Sequence, residues 1–173
     1  METVVLVNES DVEIGLMEKM EAHEKAMLHR AFSVFIFNRK GELLLQQRAL
    51  RKYHSGGLWT NTCCSHPRPH EDIKAAAHRR LREEMGFDTE LVKAFDFTYK
   101  AEFTNGLTEH EFDHVFIGTY DDLVQPNFDE VENYAYRALP LIEAALKNNP
   151  DFFTEWFHIA FPKVVSWLAE NKS

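Results

Sequence analysis

Residues 60–87 read TNTCCSHPRPHEDIKAAAHRRLREEMGF and join a loop of cysteine and histidine to a segment dense in both charges. In the second half, Ile73, Ala77, Leu81 and Met85 recur every fourth residue, which predicts a helix with one apolar stripe. Glu71 and Asp72 fall in its expected first turn, where carboxylates suit the positive end of the helix dipole, and Gly86 follows as the expected C-terminal cap. Arg79 with Glu83 and Arg80 with Glu84 stand four apart and can pair along an exposed side. An ordinary salt-bridged surface helix explains that much.

Two features ask for more. Glu71, Arg79, Leu81, Glu83, Glu84 and Gly86 fill most places of the Nudix pattern, in which an early Glu precedes an Arg, an apolar residue, two acids and a Gly. A helix of that kind gathers carboxylates around a divalent ion that holds a diphosphate. Two places differ: the opening Gly is Ser65, and Arg80 stands where a Glu would follow Arg79. That charge reversal disfavours a hydrolase that activates water with carboxylates on this helix, while leaving a diphosphate grip intact. TNTCCSHP, with Cys64 two residues before His66, then resembles the type I isopentenyl diphosphate isomerases, Nudix-fold enzymes of isoprenoid biosynthesis that move a double bond. EKMEAH, LHRAFS, QQRALRK, LWTN, FTYKA, EHE and EWF extend the resemblance over roughly residues 4–160. It implies an α+β fold, a Nudix-type α/β/α sandwich with a mixed central sheet.

The rest of the chain bounds the reading. One domain over residues 1–173 is expected from 173 residues, with 45% hydrophobic and 13% aromatic content. A net charge of −9 argues against nucleic acid or an acidic membrane as partner, but not against a small anion met by a few focused cations. No signal peptide or membrane span is legible. Adjacent Cys63 and Cys64 do not make a disulfide framework, so a reducing cytoplasm is expected, with a monomer as the default state.

Val4 to Val7 reads as a strand, then a turn near Asn8 and Asp11 and a partly helical passage through Met17 and Met20. His23 and His29 are spaced at neither i+3 nor i+4, so one helix face cannot present both. Phe32 to Phe37 reads as a central strand and Glu42 to Gln47 as its hairpin partner. A Gly56-Gly57 loop leads to Trp59. Strand-like stretches cover Glu90 to Phe103, with a turn at Asn105-Gly106. On the returning strand, alternation sends Glu109, Glu111 and Asp113 to one face and His110, Phe112, His114 and Phe116 to the other. Carboxylates two apart, about 7 Å along a strand, face either water or a cation. A strand near Tyr134 to Leu139, a helix opened by Pro140, and two helical pieces around Pro162 complete the chain.

The resemblance implies a site. His23, His29, His66, Glu109 and Glu111 would bind one Mn²⁺ or Zn²⁺, an N/O donor set unlike the all-oxygen shell of Mg²⁺. Cys64 and Glu111 would transfer protons on opposite faces of the substrate, with Tyr99 beside Glu111 and Trp156 offering its π face to a carbocation. Mg²⁺ would sit between Glu84 and the diphosphate, gripped also by Lys19, Arg48, Lys52 and Arg80. A nucleotide-cleaving Nudix hydrolase and a non-catalytic Nudix-like binding module are the alternatives.

Overall fold

The computed structural model describes residues 2–171. Its centre is β3 (His29–Phe37), eight of whose nine residues are buried. Such a run of aromatic and β-branched residues suits a strand covered on both faces. Around it lie β1 (Thr3–Val7), β2 (Glu13–Glu18), β4 (Leu43–Arg48), β5 (Trp59–Thr60), β6 (Cys63–Ser65), β7 (Val92–Glu102), β8 (Thr108–Thr119) and β9 (Val131–Arg137), and the helices are α1 (Lys19–Glu24), α2 (Ile73–Met85), α3 (Leu139–Asn148) and α4 (Glu155–Glu170). The sheet is mixed: β3 runs parallel to β8 and antiparallel to β1, β4 and β6.

Alternation along β3 splits the core in two. Phe32, Val34 and Ile36 pack with Ala76, Ala77, Leu81 and Met85 of α2. Phe35 and Phe37 pack on the other side with Ile142 of α3 and Phe157, Ala160, Phe161 and Val164 of α4. Each such fully buried side chain stabilises the fold by about 1.5–3 kcal/mol. The result is an α+β sandwich with the sheet between helices.

Local chemistry explains the ends of α2. Asp72 is the N-cap, its carboxylate accepting from the Ala75 amide at 3.0 Å, so Glu71 lies before the helix and not in its first turn. Gly86 closes the helix at φ +73, where the left-handed backbone favours glycine. The i, i+4 pair of Arg80 and Glu84 is not on an exposed side, because Glu84 is buried.

Two expectations along the chain are corrected. Residues 13–18 form β2, not a helical passage: Asn8 accepts from the amides of Ser10 and Val12, Asp11 turns at φ +61, and the returning chain pairs Met17 with Val4. Only Lys19–Glu24 is helical. Pro162 does not divide the last segment, since α4 continues through it after a short 3-10 turn at Pro150–Phe152. A proline removes one helical hydrogen bond, and the buried face of Phe157, Ala160, Phe161 and Val164 holds the turns on both sides together.

Candidate active site

Register in the sheet brings distant residues together. In the parallel pairing of β3 with β8, His29 stands opposite Glu111; across the β7–β8 hairpin, Tyr99 also stands opposite Glu111, and Ala101 opposite Glu109. β6 places Cys64 against Ser33 and Cys63 against Val34. The two cysteines therefore point to opposite faces, as neighbours on a strand must. Cys63 faces α2 and donates to Glu84 at 2.8 Å, while Cys64 joins the side that carries Trp156 and Tyr99. Both thiols are free.

The carboxylate face of β8 turns inward. Glu109, Glu111 and Asp113 are 4%, 6% and 1% exposed, which removes the reading of a water-facing strand. Tyr99 Oη lies between the two glutamates, within hydrogen-bond reach of Glu109 and 2.6 Å from Glu111 Oε1. Glu111 Oε2 is 2.7 Å from His66 Nε2 and 3.2 Å from His29 Nε2. Burial raises the Glu111 carboxyl, but His29 and His66 outweigh it and hold the group well below its usual range. For Glu109, burial and the Glu111 charge push up, and His23 with His54 bring it down to about 2. Burial lowers His66, whereas Glu111 and Glu2 raise it further, to about 9. Asp113 goes the other way: burial and the nearby Glu111 charge favour its neutral form, and Ser33 Oγ donates to it at 2.7 Å.

The imidazoles fit a metal centre. His23 from α1, His29 from β3, and His66 with Glu111 bring ligand atoms within 4.8 Å of one another, and His23, His54 and Glu109 form a second, adjoining set. His23 Nδ1 meets the Lys19 carbonyl at 2.7 Å and His29 Nδ1 the Met27 carbonyl at 2.9 Å. A carbonyl only accepts, so Nδ1 carries a ring proton in both, which leaves Nε2 to face the site. Among the described residues His23 Nε2 is buried with no hydrogen-bond partner, a costly arrangement that a bound cation would relieve.

Cys64 sits in a polar cradle. Its Sγ lies 3.1 Å from Asn61 Oδ1, 3.7 Å from Ser33 Oγ and 3.0 Å from the Trp156 indole nitrogen. Burial is the main cause that pushes the thiol well up, followed by the Asp113 charge. Cys64, Ser33, His66, Glu109, Glu111, His54 and Trp156 line one small chamber of about 30 Å³. Arg48, Tyr53, Ser65, His66 and Cys64 also line the chamber's larger neighbour, a cleft of about 760 Å³.

In a chain of net charge −9, that cleft concentrates cations: Lys19, Arg48, Arg51, Lys52, Arg68, Arg79 and Arg80. Glu2, Glu83 and Glu130 also line it, and the excess of cations between low-dielectric walls favours an anion there. Carboxylates now hold several of them. Lys19 pairs with Glu2 at 2.8 Å, Lys52 with Glu130, and Arg80 with Glu83 at 2.7 Å. Arg48 lies with its guanidinium 5.2 Å from the Trp156 ring centre, so it already meets the aromatic face expected to serve a carbocation. Glu84 is not part of the cleft wall; its oxygens face Cys63 Sγ and Arg80.

The expected residues thus fall into two compartments, with Lys19, Arg48, Lys52 and Arg80 at the cleft and Cys64, Glu111, Tyr99 and Trp156 around the chamber. His23, His29, His66, Glu109 and Glu111 converge beside it. Sequence reasoning missed two residues. His54 was hidden in a glycine-rich loop where a histidine reads as solvated, and nothing singled out Asn61 between two threonines, although it lies within the quoted stretch.

The NUDIX domain family profile matches residues 27–158. The Isopentenyl-diphosphate Delta-isomerase of Pectobacterium atrosepticum is 51% identical over 170 residues, covering 98% of this chain and 95% of the relative. The chain belongs to the isopentenyl-diphosphate Delta-isomerase family. A second member, Isopentenyl-diphosphate Delta-isomerase 2 of Photorhabdus laumondii subsp. laumondii, is 54% identical over 156 residues, covering 90% of this chain and 88% of its own length. The same sheet-and-helix frame occurs in a solved structure of low sequence identity. The crystal structure of DR0079 from Deinococcus radiodurans superposes with a TM-score of 0.72 at 18% identity, over 86% of this chain and 90% of that one. At that identity the likeness is one of fold.

Proposed function

We infer that the protein isomerises isopentenyl diphosphate to dimethylallyl diphosphate by adding a proton to one alkene carbon and removing another two carbons away. The observation that carries this reading is the joining of two compartments: a chamber bearing Cys64, Glu111 and Trp156 communicates, through shared Cys64 and His66, with a cation-lined cleft. A small diphosphate ester has the same two halves.

An unactivated alkene is a poor base, so its protonation needs a well-placed acid and exclusion of water. The site restricts water: Glu111 is buried, and the half-buried Cys64 is flanked by Asn61, Ser33 and Trp156. Cys64 and Glu111 are the two proton-transfer groups. Whichever gives its proton to carbon, the other takes one back, and the pair ends each turnover with its proton on the opposite partner. Tyr99, bonded to Glu111, fixes that carboxylate and offers a hydroxyl through which its proton can move. The tertiary cation between the two transfers is met by the π face of Trp156, an attraction of about 2 kcal/mol or more when desolvated. Lys19, Arg48, Lys52 and Arg80 hold the diphosphate by charge-assisted hydrogen bonds, for which Lys19, Lys52 and Arg80 exchange their present carboxylate partners.

His23, His29, His66, Glu109 and Glu111 would hold a divalent ion, Mn²⁺ or Zn²⁺, a borderline choice suited to mixed nitrogen and oxygen donors. Bound there, it supplies positive charge that orients Glu111 and sets its acidity. Glu84 fits a Mg²⁺ site less well, because Cys63 and Arg80 occupy its oxygens, and no step is derived through that ion.

Proton NMR of isopentenyl diphosphate in D₂O with the purified protein tests the reading. Deuterium-bearing dimethylallyl diphosphate is the expected product. Unchanged substrate with folded, metal-supplemented protein overturns the assignment, and phosphate release from nucleotides would then favour the hydrolase alternative.

A further inference from the structure

His54 belongs to the loop between β4 and β5, yet its side chain is only 2% exposed. Aromatic neighbours fix the ring: it stacks on Phe103 at a centroid distance of 4.5 Å and an interplanar angle of 12°, and meets the Tyr53 ring edge-on at 4.3 Å. Nothing in the proton chemistry above uses it. Its Nε2 lies 2.8 Å from Glu109 Oε2, and His23 Nε2 lies 3.6 Å from the same oxygen. Among the described residues neither nitrogen has a well-made hydrogen bond: His23 Nε2 is too far from the carboxylate, and the shorter His54 contact is poorly aligned. A buried histidine held beside a carboxylate for structure alone would align with it, since an unmet buried donor costs about 1–3 kcal/mol. Two imidazole nitrogens crowding one carboxylate oxygen without bonding to it are instead arranged as donor atoms around a common point. The ligand atoms of His23, His54 and Glu109 all lie within 4.8 Å of one another. His23 also belongs to the set with His29, His66 and Glu111, so the two sets adjoin.

We propose that His54 is a further protein ligand of the metal centre, binding through Nε2 beside His23 and Glu109. The proposal rests on the centre invoked under the proposed function. With His54 the donor set becomes four imidazoles and two carboxylates, enough to fill the shell of a six-coordinate ion with protein atoms. Ring nitrogen also tilts the choice of ion away from Mg²⁺.

The probe is Mn²⁺ alone, added to chelator-stripped full-length protein and followed by the electron paramagnetic resonance signal of the free ion. His54→Gln keeps a polar side chain of similar length but a poor ligand; His54→Ala removes both. Both variants should bind Mn²⁺ at least about 10-fold more weakly than the parent and lose it faster to EDTA, as metal-site substitutions do. The pulsed ¹⁴N couplings of bound Mn²⁺ should report one imidazole fewer. The thermal transition of the stripped His54→Gln protein should match that of the stripped parent, which separates ligation from folding. Unchanged affinity and ¹⁴N coupling in His54→Gln overturn the proposal while leaving the centre standing. A parent protein that binds no Mn²⁺ overturns the centre as well, and the D₂O experiment in excess EDTA then decides separately whether isomerisation survives.

Discussion

Replacing Asn61 with leucine, nearly equal in size but without polar atoms, should damage both stability and turnover. Asn61 is fully buried and its amide is a junction. Nδ2 donates to the carbonyls of Val34 at 3.1 Å and Cys63 at 2.9 Å, and Oδ1 accepts from the Thr60 hydroxyl at 2.8 Å. The same oxygen faces Cys64 Sγ at 3.1 Å and the Trp156 indole nitrogen at 3.3 Å. Trp156 and Thr60 keep other partners in the variant, Cys64 Sγ and Thr154 respectively. The uncompensated loss is therefore chiefly the two carbonyl bonds and the cradle of the thiol. At about 0.5–1.5 kcal/mol per bond, and more where a buried group is left unmet, the total is about 2–5 kcal/mol. For a chain of this size each kcal/mol moves the melting temperature by about 2–4 °C, so calorimetry should find a fall of about 4–20 °C. Turnover should fall about 100-fold in kcat, the usual scale for displacing a reacting group by an ångström, measured well below the variant's transition. Loss of stability with kcat intact would refute the positioning of Cys64; no change in either would refute the hydrogen-bond reasoning itself.

Cys64→Ser and Glu111→Gln should each lose most turnover while binding the substrate diphosphate in direct titration, because proton transfer and not anchoring is removed; a near-normal rate in either would break the acid/base assignment. Lys52→Ala should raise KM with a smaller effect on kcat, and an unchanged KM would remove Lys52 from the diphosphate grip. The metal-free protein should be pH-sensitive through His66. Its folded value of about 9, against an ordinary 6.5, means that the folded state holds the proton more tightly. The stabilisation is thus fully present below pH 6.5 and is lost as pH rises toward 9, amounting at most to about 3 kcal/mol for a shift of that size. Melting temperatures of chelated protein should fall across that window; a rise would contradict the His66–Glu111 pairing.

What was legible in the sequence follows the range of the forces involved. The α2 stripe, the Asn105-Gly106 turn and the alternation of Glu109, Glu111 and Asp113 are set by neighbours within a few residues, and pattern reveals them. The edge strand β2 is different: Val12 just before it and Ile14 and Leu16 within it alternate as strand residues do, yet they stay exposed, and pairing with β1 decides the strand. Pro162 misled because a local helix breaker is outweighed by the packing of the residues around it. The site was visible mainly through resemblance, since nothing local tells that residue 29 stands beside residue 111. His54 required the closure of a loop whose course depends on Gly56, where an added Cβ would lie 2.4 Å from the Leu50 carbonyl oxygen. Asn61 required knowledge of both the thiol and the indole that meet it.

The row of His29, Glu111 and Tyr99 has a further consequence for how such a protein can diverge. These three are placed by counting residues along paired strands, and one residue gained or lost inside β3 or β8 would turn every side chain beyond it to the opposite face. His66 follows β6 directly and shares that count through the pairing of Ser65 with Phe32, whereas His54 comes from the loop between β4 and β5 and is not set by a strand register. Changes of length are therefore costly within these strands, and an engineer seeking a new substrate should alter loops that carry none of the site residues before touching the ladder.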